Sequence, residues 1–381
     1  MVDQLPYWMA FTHAKSFSNR RKMDFLIHSV FDNRPLDEAL DLVKNNENPG
    51  FDFSDKEQAG LLKELEQLPN YSFLLEDLLN QGIKIITIFD QKQYPQILKK
   101  NLKRDAPLLL YLKGNSSLLY ENTAAIVGAR KASSQSLTFT ENIAERLVSE
   151  QKTIVSGFAK GVDRKALDSA LKNQGNSIVV IPQGILTYTS KVYYEHIVAG
   201  NVLLLSTYHP KAPWSVGLAM DRNKTIYGLS QDIYVAESDS KGGTWEGVKS
   251  GLKMGRSIFI RESLPDEKNA NGKLIEMGAL PVDINGNSVE YQNKNVMAKE
   301  PVREYTQDNI INELVRRIDE NNGKSMTISE IKTCLGIPEM DSKILTKLII
   351  DSELFHKSKR GRLNTFTLKK YVGVQGNIFE S

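Results

Sequence analysis

Short apolar runs alternate with longer amphipathic stretches between residues 123 and 283, and this order constrains the fold more than any other feature of the chain. The runs are short enough for buried strands, and the stretches between them are long enough for helices. The predicted strands are residues 124–127, 153–155, 177–181, 202–205, 233–236 and 257–260, and the longest predicted helices are residues 136–150, 163–173 and 244–254. Strands that alternate with helices predict a parallel sheet that is covered on both faces.

The fold class predicted from the whole chain is α/β, with a doubly wound, parallel Rossmann-like sheet, an N-terminal helical domain and a C-terminal winged-helix domain. Right-handed crossovers place the carboxyl ends of the parallel strands at one edge of such a sheet. Ligands bind at that edge. The residues that follow the predicted strands are therefore the candidates for function.

Residues 1–80 are interpreted as short helices that are interrupted at Pro35, at residues 48–50 and at Pro69. We predict a small domain of the SAM or helix-hairpin-helix type, which serves either as a packing or dimerising cap or as a contact to a nucleic-acid backbone. A β-like run at residues 83–88 then begins the extended Rossmann domain, which is predicted over residues 81–285.

Residues 286–303 are polar and have no apolar period, so a linker is predicted there. Three short amphipathic segments and two β-like runs follow within residues 304–372, which is the order of a winged helix. Thr327 and Glu330 have the spacing of a capping box at the start of the second of these helices.

The segment 341–370 is more basic than the rest of the chain. It carries eight Lys or Arg and three acidic residues, a net charge of +5, whereas the whole chain has +3. Lys359, Arg360 and Arg362 lie at the tip of the predicted wing, where they are candidates for DNA phosphates or a minor groove. Winged helices also dock on proteins, and basic turns are often only solvated, so these interpretations stay open.

Composition places the chain among ordinary globular proteins, with 40% hydrophobic and 25% charged residues. The single cysteine, Cys334, excludes an internal disulfide and a cysteine cluster for zinc. No apolar run approaches the roughly 20 residues that span a bilayer, and the first residues lack the pattern of a signal peptide. We therefore expect a cytoplasmic protein without a membrane segment.

The first strand of the predicted sheet ends in Gly128, Ala129, Arg130 and Lys131, and a helix begins soon after at Ser133 or Ser134. Glycine lets the backbone turn closely, a helix N-terminus offers free N–H groups, and arginine is a bidentate fork for phosphate. The pattern predicts an anion site at Gly128, Arg130 and Lys131. An ordinary strand-to-helix turn with a solvated basic pair is the alternative.

The second strand ends in the same kind of sequence. Ser156, Gly157 and Lys160 precede the next helix, for which Asp163 is the predicted cap. Because a lysine between glycines has little apolar surface to cover, Lys160 is predicted to contact phosphate.

Two later segments complete the predicted pocket. Arg222, Asn223 and Lys224 enter a helix that runs from Met220 to Leu229, and a glycine turn follows the strand 233–236. The turn contributes Gly242, Gly243 and Thr244, whose N–H groups and hydroxyl suit an anion. Each motif alone is weak, since Gly-Gly is often only a loop, but several strand ends of one sheet carry the same chemistry.

No pattern in the chain indicates catalysis of a familiar type. No Ser, His and Asp set stands out, the histidines lack metal-ligand spacing, and there is no Gly-x-x-x-x-Gly-Lys-Ser/Thr loop. We therefore predict no catalytic residue, no metal and no cofactor, and a function in binding.

The chain from Gly82 onwards resembles the DprA/Smf family of DNA-processing proteins. The residues that carry the resemblance are Tyr94-Pro95, Leu110-Tyr-Leu-Lys-Gly114, Gly128-Ala-Arg130, Ser156-Gly-Phe-Ala-Lys-Gly-Val-Asp163 and Arg222-Asn-Lys224. The resemblance implies binding of single-stranded DNA, homodimerisation through the Rossmann domains and delivery of a RecA-type recombinase to DNA. It also implies phosphate contacts by Arg130, Lys160, Arg222, Asn223 and Lys224.

The chain departs from the family pattern at Ala129 and Lys224, where the family has Ser and Arg, and at residues 241–245, where many members have Ser-Gly-Ser. The last departure is similar to divergent DprA-like proteins, so phage defence or an antitoxin role beside a toxin partner is an alternative to transformation and recombination. It is also similar to the turn of lysine-decarboxylase-like phosphoribohydrolases. A nucleotide-binding sensor, or an enzyme that acts on a nucleoside monophosphate through Glu237 or Glu246, is the second alternative.

Overall fold

The computed structural model describes residues 4–31, 34–289, 307–320, 324–335, 337, 340–360 and 363–371. The chain divides into two compact units, the N-terminal unit Met1–Tyr291 and the C-terminal unit Gln292–Ser381. Within the described ranges, no helix has the length and apolar character needed to cross a membrane.

The strands of the N-terminal unit are β1 (Lys84–Thr87), β2 (Leu109–Gly114), β3 (Thr123–Val127), β4 (Thr153–Ser156), β5 (Ser177–Val180), β6 (Val202–Ser206), β7 (Asp232–Val235), β8 (Ile258–Arg261) and β9 (Leu280–Val282). They form one sheet in the order β1-β2-β6-β5-β4-β3-β7-β8-β9. Neighbouring strands from β6 across to β9 are parallel, whereas β2 pairs antiparallel with both β1 and β6.

The parallel part of the sheet grows in two directions from β3. The chain first adds β4, β5 and β6 on one side and then β7, β8 and β9 on the other. This is the predicted doubly wound arrangement, and the order reverses between β3 and β7. The antiparallel strands β1 and β2 extend one side, so the sheet is mostly parallel and not wholly so.

Helices cover both faces of the sheet. Those of the N-terminal unit are α1 (Leu5–His13), α2 (Asn19–Phe31), α3 (Leu36–Lys44), α4 (Asp55–Leu65), α5 (Leu68–Asn80), α6 (Gln96–Leu102), α7 (Ser134–Ser149), α8 (Val162–Lys172), α9 (Tyr194–Ala199), α10 (Val216–Asp221), α11 (Asn223–Leu229), α12 (Gly243–Lys253) and α13 (Asn271–Glu276). Successive side chains of a strand point to opposite faces of the sheet, and a separate cluster of buried residues covers each face. Ala124 therefore packs with Phe139 and Ala166 on one face, while Ala125 belongs to the cluster on the opposite face.

Helices α1 to α5 share a hydrophobic core with the sheet, since Phe11 and Leu40 belong to the same cluster of buried residues as Leu109 and Ile178. The break predicted at Pro69 is confirmed, because α4 ends at Leu65 and α5 begins at Leu68, directly before this proline. Pro69 lies in the first turn of α5, where the missing N–H would have no partner in any case.

The C-terminal unit contains α14 (Gln307–Glu320), β10 (Met326–Thr327), α15 (Ile328–Leu335), α16 (Ser342–Asp351), β11 (Phe355–Arg360) and β12 (Leu363–Leu368). Its strands pair antiparallel in the order β10-β12-β11. The predicted capping box is confirmed, because Thr327 N donates to Glu330 Oε2 at 2.7 Å and Glu330 N donates to Thr327 Oγ1 at 3.3 Å. The winged-helix assignment stays a prediction, and most of the predicted linker lies outside the described residues.

Gly161 makes the turn between β4 and α8 and has a φ of +84°. A Cβ at this position would lie 2.6 Å from the carbonyl oxygen of Arg130 and closer still to that of Ala129. Gly82 has a similar φ of +70°, but a Cβ there would meet no atom within 4 Å. A side chain at Gly82 would therefore add only backbone strain, whereas a side chain at Gly161 would add backbone strain and a steric collision.

We predict that Gly161→Ala lowers the free energy of unfolding of the N-terminal unit by more than about 3 kcal/mol. Gly82→Ala should lower it by only about 1 to 2 kcal/mol, because it adds left-handed strain without a collision. Urea unfolding followed by tryptophan fluorescence measures both, since Trp8, Trp214 and Trp245 all lie in this unit. Equal losses in the two variants would contradict the collision.

Candidate nucleic-acid interface

A recess of about 430 Å³ lies at the carboxyl ends of β3 and β7, where the order of the sheet reverses. We call it the switch-point recess. Doubly wound sheets bind their ligands in this crevice. The predicted site residues that line it are Gly128, Arg130, Lys131, Arg222, Asn223, Gly242, Gly243 and Thr244.

The loop after β3 supplies exposed positive charge to the recess. Gly128 allows this loop to pass close to α8, because a Cβ there would lie 2.6 Å from Val162 Cγ2. Arg130 and Lys131 are exposed, and within the described residues neither side chain forms an ion pair with a carboxylate. Two cations are therefore available to an anion that enters the recess.

The floor of the recess contains a buried pair of opposite charges. Arg222 is only 3% exposed, its Nη1 donates to the carbonyl oxygen of Val180 at 2.8 Å, and its Nη2 lies 3.8 Å from Asp163 Oδ2. Burial raises the pKa of Asp163, and Arg222 offsets part of that increase. Gly157 makes room for this pair, since a Cβ there would overlap the guanidinium of Arg222.

The glycine turn after β7 brings the N-terminus of α12 to the recess. Gly242 is the residue before α12 and has a φ of +100°. Asn223 Nδ2 donates to the carbonyl oxygen of Gly243 at 3.0 Å, and Thr244 Oγ1 donates to that of Gly128 at 3.0 Å. These two side chains fix the shape of the turn, and the first N–H groups of α12 have no helical carbonyl to bond and favour an anion.

Four of the predicted site residues do not line the recess, namely Ser156, Gly157, Lys160 and Lys224. Ser156 is buried, and its hydroxyl donates to the carbonyl oxygen of Ile126 at 2.7 Å. Lys160 is exposed outside the lining. Lys224 forms an ion pair with Asp221 and lines a different cavity. Phosphate contact by Lys160 and Lys224 stays a prediction.

Asp163 does not cap α8, so that prediction is wrong. The residue before the helix is Gly161, and Asp163 lies in the first turn with its carboxylate buried beside Arg222. The N-cap predicted for α7 is confirmed, because Ser133 Oγ accepts from Ser136 N at 3.2 Å.

The two carboxylates considered for acid–base chemistry lie outside the lining of the recess. Glu237 Oε2 accepts hydrogen bonds from Ser133 N at 2.9 Å, Ser133 Oγ at 2.7 Å and Ser136 Oγ at 2.7 Å. Burial alone would raise the pKa of Glu237, but these donors bring it below its usual value. Glu246 is exposed and pairs with Lys249 at 3.4 Å.

Residues that the sequence did not indicate also line the recess. Val216 and Met220 are 61% and 43% exposed at its rim, and Lys241 adds a cation beside Gly242. The helix predicted over residues 220–229 is in fact two helices, α10 and α11, which meet at Arg222. The position of Lys241 directly before a glycine pair was a usable signal, whereas nothing marked Val216.

The predicted contacts of the C-terminal unit are only partly described. Lys359 is exposed on β11. Arg360 Nη2 lies 2.5 Å from Glu330 Oε1, so its charge has a partner within the unit. Arg362 lies outside the described residues.

Comparison with known proteins links this architecture to DNA processing. Residues 84–292 match the family model of DNA recombination-mediator protein A. The chain is 32% identical over 206 residues to DNA processing protein DprA of Streptococcus pneumoniae, a match that covers 53% of this chain and 66% of the relative. It is 30% identical over 228 residues to DprA of Bacillus subtilis, which covers 58% of this chain and 75% of that protein.

A solved structure agrees with these matches. The X-ray structure of DNA processing protein A from Streptococcus pneumoniae has a TM-score of 0.60 and 27% identity, and the superposition covers 72% of this chain and 92% of that one. The region matched by the family model begins at the first residue of β1 and contains the whole lining of the switch-point recess. The chain belongs to the DNA recombination-mediator protein A family, also named DprA or Smf.

Proposed function

We propose that this protein binds single-stranded DNA in the switch-point recess and acts as a mediator of DNA recombination. The observation that carries the proposal is the convergence of Arg130, Lys131, Lys241 and the N-terminus of α12 on one recess. Cations and free N–H groups at this edge bind phosphate. The family match supports the same function.

The shape of the recess supports a single strand as the ligand. A recess of about 430 Å³ accepts a small part of a flexible strand that turns a phosphate inward. Duplex DNA is stiff, with a persistence length of about 50 nm, and cannot follow such a path. Val216 and Met220 provide apolar surface at the rim, on which an unstacked base can pack.

We further propose that the protein is not an enzyme. In support, Glu237 is already bonded to the start of α7 and Glu246 lies outside the lining. The carboxylates that do line the recess are Asp163, which is buried against Arg222, and Asp239 on the exposed rim. We assign Asp163 a structural role, because its carboxylate is occupied by Arg222 and by the backbone N–H groups of Ala159 and Gly128.

The proposal includes a homodimer that delivers a RecA-type recombinase to DNA, in preference to a role beside a toxin partner. Both relatives compared above are DNA processing proteins. Exposed Leu264, Met277 and Leu280 lie in the loop after β8, directly after α13 and on β9, and they are apolar surface of the kind that packs against a second chain. We also propose that the C-terminal unit is a winged helix that adds a weaker DNA contact near Lys359, in accord with its order of helices and strands.

Arg130→Ala should weaken binding of a labelled single-stranded oligonucleotide about tenfold or more, because it removes a charged hydrogen bond to phosphate. Arg104→Ala is the matched control, since Arg104 is an exposed arginine that pairs with Asp24 away from the recess. Fluorescence anisotropy measures both affinities. The slope of log affinity against log salt should become shallower by about 0.7 in Arg130→Ala alone.

An equal loss in Arg130→Ala and Arg104→Ala would remove the recess as the DNA site. A chain that ends at residue 303 provides the complementary test, and we expect it to keep its preference for the single strand. Binding that survives Arg130→Ala and disappears on truncation would place the DNA on the C-terminal unit.

We expect no release of free base when the full chain is incubated with nucleoside 5′-monophosphates, because Asp163, the buried carboxylate of the described lining, is held by Arg222. Chromatography of the products measures free base directly. Release that is lost in Asp163→Asn and kept in Arg104→Ala would identify an enzyme and overturn the non-catalytic proposal.

A further inference from the structure

A second cavity, of about 990 Å³, lies in the N-terminal unit between helices α1, α2, α4 and α5 and the loop after β6. We call it the His13–His209 cavity. The short helix α10 separates it from the switch-point recess, because Leu218 and Asp221 line the cavity while Met220 lines the recess. The function proposed above makes no use of this cavity.

A buried lysine enters the cavity from α2. Lys22 is 6% exposed, its Nζ donates to the carbonyl oxygen of Thr12 at 2.6 Å and lies 5.1 Å from the centre of the Phe17 ring. Burial lowers the pKa of Lys22 to about 8, although the carboxylate of Glu64 acts in the opposite direction. No carboxylate of the described residues forms an ion pair with Lys22. Its charge is therefore incompletely balanced.

Two histidines face each other in the same cavity, with the ring centres of His13 and His209 5.0 Å apart. His13 Nε2 lies 2.8 Å from the Tyr111 hydroxyl. His209 Nδ1 accepts from the backbone N–H of Lys211 at 3.2 Å, so the neutral ring carries its proton on Nε2. Burial, His209 and Lys22 hold the pKa of His13 well below its usual range.

Several N–H and O–H donors of the cavity have no acceptor among the described residues. Within the described residues, His209 Nε2 and the buried Thr12 hydroxyl have no hydrogen-bond partner. Lys15 and Lys211 are exposed at the margin of the cavity. Buried polar groups are normally satisfied, so the unmatched Thr12 hydroxyl points to a ligand. The half-buried His209 and the two exposed lysines are open to solvent and available to the same ligand.

The acidic residues of the cavity are already engaged. Glu64 Oε2 accepts from the Tyr71 hydroxyl at 2.8 Å, and Asp105 Oδ2 lies 2.6 Å from Arg20 Nη2. Asp221 is paired with Lys224. The lining has four lysines, namely Lys15, Lys22, Lys211 and Lys224, and these three carboxylates, so the surplus is one positive charge together with N–H and O–H donors.

We propose that the His13–His209 cavity binds a small phosphorylated molecule, with Lys22 and His209 holding the phosphate. A phosphate monoester offers only acceptors and carries a charge of about −1.5 to −2, which matches this surplus. The volume of the cavity leaves room for a group of nucleoside size beside the phosphate. The phosphate belongs either to a free nucleotide or to the 5′ end of a DNA strand.

Isothermal titration of the full chain with deoxyadenosine monophosphate tests the proposal. We expect saturable binding of one nucleotide per chain, at least tenfold weaker in Lys22→Met and in His209→Phe, which keeps a ring and removes the N–H donor, and unchanged in Arg130→Ala. Lys22→Met keeps the apolar stem over Phe17 and removes only the charge. If Lys22→Met fails to fold, His209→Phe carries the comparison alone.

Competition separates the two sources of phosphate. Displacement of the nucleotide by a 5′-phosphorylated oligonucleotide, but not by the same strand with a 5′ hydroxyl, assigns the site to strand ends, and no displacement by either assigns it to a free nucleotide. The proposal is overturned if the native chain shows no saturable binding. It is also overturned if binding is lost in Arg130→Ala and kept in Lys22→Met and His209→Phe, which would place the nucleotide in the switch-point recess.

Discussion

The guanidinium of Arg222 lies in the interior of the N-terminal unit, where it joins three parts of the chain. It donates to Val180 at the end of β5, lies beside Asp163 in α8, and itself stands where α10 meets α11. A charge removed from water costs several kcal/mol unless it is paired and hydrogen-bonded, so these elements must stay together. The pair of Arg222 and Asp163 forms the floor of the recess. The guanidinium fits there only because Gly157 has no side chain.

The main elements of the sheet were predictable because buried parallel strands are continuous apolar runs. The bounds of β3 and β7 differ by only one residue from those expected. The break between α10 and α11 was not predictable, since it depends on the interior partners of Arg222, which lie far away along the chain. The sequence of residues 220–229 alone predicts one continuous helix. Pro69 indicated a break between helices but not on which side of it the break lies, because a proline occurs either after the end of one helix or in the first turn of the next.

The location of the site was also predictable, because glycine and basic residues follow several strands of one sheet. The cavity that each side chain lines was not predictable. Asn223 and Lys224 are neighbours in α11, yet one lines the recess and the other lines the His13–His209 cavity, since successive residues of a helix point about 100° apart. That cavity had no sequence signal, because His13 and His209 meet only after the helices have packed on the sheet.

The pairing of β3 has a consequence for how the protein is made. Ala124 lies beside Ile154 of β4 and beside Asp232 of β7, and the second pairing closes a far longer loop of chain. Contacts that are distant in sequence form late, since loop closure costs entropy before the contact repays it. Gly128 follows β3 and Gly242 follows β7, so the recess needs both strands in place. A chain still on the ribosome therefore has no recess until β7 has emerged.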